Sequence, residues 1–169
     1  MLNEKLLANA RFVAAIAVIL AISPTQGSAQ TRLDRLESLS EEFTAVVYEK
    51  MVEELAPDPT EREAIAAAMP DAAWDDDFRE AGGCILEAYE TASSAEAVDQ
   101  MLSDMEDALP RLADASMQEM EELGFFLPAG LSKNDSLRIN QECGMMELQR
   151  QRMMQSGFME AMMDAARDG

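Results

Sequence analysis

Leu36-Glu-Ser-Leu39-Ser-Glu-Glu-Phe43-Thr-Ala-Val46-Val47-Tyr-Glu-Lys-Met51-Val-Glu-Glu-Leu55 decides the fold class. Its apolar residues Leu36, Leu39, Phe43, Val46, Val47, Met51 and Leu55 recur at steps of three and four. That is the period of one helix face, not the alternation of a strand. The spacing predicts an amphipathic helix over about 31–55, ended by Ala56-Pro57-Asp58-Pro59. Thr60-Glu-Arg-Glu63 has the form of a capping box and starts a short helix through about Met69.

The same period continues downstream. Pro70-Asp71 breaks the chain, with Asp71 placed to cap the next helix. Trp74, Phe78, Ile85 and Tyr89 then fall on one stripe over about 72–92. Gly82-Gly83 inside it is costly for a helix, so its use is close helix–helix approach beside Cys84. Ser93-Ser94 caps a helix carrying Val98, Met101, Leu102, Met105 and Leu109, which Pro110 kinks or restarts. Gly124 is a C-cap residue, and Phe125-Phe126-Leu127 either folds back on that turn or docks a partner. A last, Met-rich helix runs over about 135–167. No segment alternates with period two. The expectation is an all-α protein of about five helices in one small bundle-like domain.

The amino terminus reads as an export signal. Lys5 and Arg11 precede the apolar run Phe12–Ile22, and Ser23-Pro24-Thr25-Gln26-Gly27-Ser28-Ala29 supplies the small residues of a cleavage site. Pro24 breaks the helix and leaves the following residues extended, with the cut after Ala29. The alternative is an uncleaved anchor, but an 11-residue apolar run spans only about half of a bilayer core, and with the run removed no stable membrane insertion is expected after cleavage. Residues 30–169 then form a single acidic domain, in the periplasm of a diderm bacterium or otherwise outside the cell. Two cysteines in an exported chain point to one disulfide, Cys84–Cys143.

Composition narrows the chemistry. The 169 residues hold 33 acidic and 13 basic side chains, no histidine, and a formal charge of −20. Loss of Glu4, Lys5 and Arg11 with the leader would move the charge from −20 to −21. Such a chain does not hold nucleic acid by phosphate neutralisation. Without histidine there is no Ser-His-Asp triad and no imidazole base or ligand. No Gly-rich phosphate loop, G-x-S-x-G or calcium loop is present. Asp75-Asp76-Asp77 reads as a solvated helix start, where negative charge is favoured. No cofactor and no enzymatic activity are expected.

Methionine is the anomaly. Seven fall within 145–163: Met145, Met146, Met153, Met154, Met159, Met162 and Met163. On a continuous helix Ile139, Cys143, Met146, Met153 and Met154 share one sector, which leaves out Met145 and Leu148. Phe158, Met159, Met162 and Met163 share another, turned by roughly 150°. Either the helix breaks at Ser156-Gly157, or the tail packs against a partner, a second copy or a surface. Three readings of the methionines stand: core filling, an adaptable binding face, or soft-metal ligation. The leading expectation is a non-enzymatic protein that binds another protein or an apolar segment through Met153, Met154, Phe158, Met159, Met162 and Met163. Its rival is Cu(I) handling by the paired thioethers of Met159 with Met162 or Met163.

Overall fold

A computed structural model of the chain describes residues 24–56, 58–112, 114–116, 119–120 and 126–168. The expected leader up to Ser23, Gly124 and Phe125 lie outside them. The described residues form helices and no strand. In chain order the helices are α1 (Pro24–Leu55), α2 (Pro59–Ala68), α3 (Asp76–Ala92), α4 (Ala95–Leu112), α5 (Lys133–Glu142), α6 (Met145–Gln155) and α7 (Phe158–Asp168). The class is all-α as expected, with seven of these helices in place of about five.

The extra helices come from glycine. Gly144 (φ 80°) and Gly157 (φ 84°) both adopt the left-handed conformation that side chains with a Cβ disfavour. They cut the expected 135–167 helix into α5, α6 and α7. The break at Ser156-Gly157 is one of the two alternatives read from the wheel. The break at Gly144 is not, and it resets the helical phase. Met145 is therefore buried and Leu148 packs on the core, while Met146 and Met154 turn outward.

Several ends differ from expectation for local reasons. Residues from Pro24 to Ala29, expected to be extended, are helical and belong to α1. Asp58, not Thr60, caps α2: its carboxylate accepts from Thr60 N at 2.8 Å, and Pro59 takes the first helical position. Asp75 rather than Asp71 caps α3, accepting from Phe78 N at 3.0 Å. Asp71 instead closes a tight turn onto Ala73 N. Trp74 thus lies just before α3 rather than on it. Pro110 does not restart the helix: α4 runs through it to Leu112, with the one intrahelical N–H at Pro110 missing.

Two hydrophobic clusters result, and α1 runs through both. The first gathers Leu39, Phe78, Ile85, Leu86, Tyr89, Val98, Met101, Leu102, Ile139 and Met145. The second is smaller: Val52, Ala56, Ile65 and Phe158, flanked by Met51, Met69, Met153 and Met162. The Cys84–Cys143 disulfide, 59 residues apart in sequence, ties α3 to the α5–α6 junction. Gly82 admits a close approach as expected, though chiefly by a side chain: a Cβ there would stand 2.6 Å from Trp74 Cη2 and 3.4 Å from Leu33 Cδ1.

The scarce cations hold acidic helices together. Arg32 Nε and Nη2 donate to both oxygens of Asp99 on α4 (2.6 and 2.8 Å), and Nη1 donates to Glu90 on α3. Arg35 reaches Glu106 on α4, and Arg79 reaches Asp34 and Glu37 on α1. These links cross between helices, where unscreened like charges would otherwise meet.

Candidate functional site

α1 packs on α2, α3 and α4, while α5 and α6 pack on α3. The space between α1 and α6 is a cleft of about 540 Å³. One face of α1 supplies Leu36, Ser40, Phe43, Thr44, Val47 and Tyr48, at helical spacing. α3 supplies its floor and α6 its far wall. Six of the chain's nine aromatic residues line it: Phe43, Tyr48, Trp74, Phe78, Tyr89 and Phe126. Phe126 stacks edge-on against Phe43, with centroids 5.3 Å apart, so this part of the apolar loop is packed on α1.

Polar groups in the cleft are fixed. The Tyr89 hydroxyl shares a 2.5 Å hydrogen bond with Ser136 Oγ and accepts from Asn140 Nδ2 at 3.2 Å. Trp74 N donates to Glu41 Oε1 at 2.6 Å. At the mouth, Arg152 of α6 donates to the carbonyl oxygens of Asp71 and Ala73 and to Asp75 Oδ2. Its guanidinium carbon stands 3.8 Å from the centroid of the Phe78 ring, a cation–π contact. The N–H of Phe78 and then Arg152 hold the Asp75 carboxyl below its ordinary range. Burial raises the Tyr48 phenol, with Arg152 partly opposing it. No buried side-chain polar atom among the described residues lacks a partner.

The residues singled out in the tail divide into two rows. Phe158 is 6% exposed and belongs to the second cluster, where Met153 and Met162 also pack. Met154, Met159 and Met163 are 64%, 54% and 52% exposed, values unusual for large apolar side chains. Met159 and Met163 stand one turn apart on the outer face of α7. Met146 joins the exposed set on α6, a position the continuous-helix wheel assigned inward. Arg150 Nη1 donates to Met154 Sδ at 2.9 Å. Beside it, Arg150 and Gln151 donate to Glu147 and lower its carboxyl to about 2.

For metal chemistry, both cysteines are oxidised and withdrawn as thiolate ligands. No group of three or more Cys, Asp and Glu suited to a metal occurs among the described residues. Of the thioethers considered for Cu(I), Met162 faces the second cluster, which leaves Met159 and Met163 on one surface. No helix among the described residues is long and apolar enough to cross a membrane. No family model, curated protein or solved structure matches the chain.

Proposed function

We infer that this chain is an exported, non-enzymatic binding protein that receives an apolar segment of another protein on the outer faces of α6 and α7. One observation carries the reading: three thioethers, Met154, Met159 and Met163, stand more than half exposed on an otherwise strongly charged chain. Unbranched methionines adapt to differently shaped apolar partners, and their faces repack at low cost. The leader-like amino terminus and the disulfide support work in an oxidising, exported compartment. The high negative charge keeps such a surface from self-association with other acidic chains.

The test places a photo-crosslinker at exposed Glu160, in cells, and compares the native tail with a Met154→Gln, Met159→Gln, Met163→Gln variant. The reading expects a defined adduct that the variant loses. An adduct of unchanged yield in the variant, or none with either protein, overturns it. A crosslink to a second copy would assign the face to self-assembly instead.

A second reading rests on Met159 and Met163, exposed residues one helical turn apart whose thioethers are of the type that suits a soft cation. Titration of the protein with Cu(I) against a competing chelator decides it. Binding no tighter than that of the Met159→Gln, Met163→Gln variant removes copper handling.

A further inference from the structure

We propose that the cleft between α1 and α6 binds a small lipophilic cation, an apolar body bearing a quaternary or protonated amine, independently of the methionine face. The first ground is the concentration of rings. Aromatics are 5% of the chain, yet six of the nine line this one cavity. Aromatic rings carry negative quadrupole potential on their faces, and cavities lined by several of them are the environment that holds quaternary ammonium groups. The second ground is that the cleft already seats a cation on one of those rings, the Arg152 guanidinium 3.8 Å from the Phe78 centroid.

The charge around the cleft selects the same sign. Arg152 is matched by Asp75 at 2.7 Å, and Asp71 adds a further carboxylate to the lining. The whole chain carries −20, a field that concentrates cations and repels anions at the entrance. The volume of about 540 Å³ falls in the range of small-molecule sites. The Tyr89 hydroxyl and Asn140, already bonded to each other and to Ser136, give the floor polarity without charge.

Trp74 is the chain's one tryptophan and lines the cleft, so its fluorescence reports occupancy directly. The full mature chain, disulfide intact, is titrated in physiological salt with hexyltrimethylammonium, 1-hexanol and hexanoate. The proposal expects saturable binding of one cation per chain, about tenfold tighter than hexanol, with hexanoate weakest. Phe126→Leu keeps the apolar volume and removes a ring face. It should weaken the cation about threefold and leave hexanol unchanged. Phe43→Leu, the other half of the edge-on pair, serves if circular dichroism shows that Phe126→Leu does not fold. Equal or tighter binding of hexanol, tightest binding of hexanoate, equal loss of both ligands in the variant, or no saturable change each overturn the proposal.

Discussion

The two hydrophobic clusters are built from different materials. The first is rich in rings, crossed by a disulfide, and bordered by arginines that tie α1 to α3 and α4. The second has four buried residues, no staple, and methionines around its edge. Rings and staples fix distances, which is what a cleft between helices requires. Methionines fill space with little commitment to shape. The difference teaches where rigidity and adaptability lie: a preformed cleft beside the first cluster, a compliant face over the second.

Breaking the first cluster should have the largest effect. Replacing Cys84 and Cys143 by serine frees a loop spanning 59 residues and is expected to cost about 4 kcal/mol. A thermal melt should fall by roughly 12 °C. An unchanged melt would show that the staple adds nothing to the first cluster. Phe158→Ala empties the centre of the second cluster and should cost about 3 kcal/mol. Hydrogen exchange should then rise in α2 and α7 while α3 and α4 stay protected. A uniform rise in exchange would mean that the clusters unfold as one.

Arg32→Gln sharpens the comparison by pH. Asp99 sits below its ordinary carboxyl range, first because Arg32 donates to it. A depressed carboxyl gives stability that is fully present above its unfolded value and lost as pH falls through the folded one. The variant should therefore be about 1 kcal/mol less stable at neutral pH, the pair being partly exposed. That difference should shrink below about pH 4. A difference constant from pH 7 to pH 2 would contradict the assignment. The smallest effect belongs to the outer methionines. Each change to glutamine should alter stability by less than about 0.5 kcal/mol, since the side chains are already in water.

Legibility in the sequence followed the range of each signal. The 3.6-residue period of Leu36–Leu55 gave most of α1, and the odd phase after Met154 made a break at Ser156-Gly157 one of two alternatives. The pairing of Cys84 with Cys143 followed from their count of two and from the expectation of export. Gly144 went unread because one glycine inside an apolar pattern is ordinarily tolerated, and only its left-handed backbone makes it a break. The cap at Asp58 hid behind the Thr60–Glu63 pattern, though Asp-Pro is itself a start signal. The cleft was invisible because its rings come from positions 43 to 126 and meet only through tertiary packing. Arg152 gave no local sign, since its partners lie about 80 residues upstream.

The central claim is that the tail carries an inner row that holds the fold and an outer row that meets a partner. It is tested by comparing two variants for melting temperature and for crosslinking at Glu160: the outer set Met154→Gln, Met159→Gln, Met163→Gln, and the inner pair Met153→Gln, Met162→Gln. The outer set should melt within roughly 3 °C of the native chain and lose the crosslink, while the inner pair melts clearly lower. An outer set that destabilises as much as the inner pair, or that keeps its crosslink, would contradict the account.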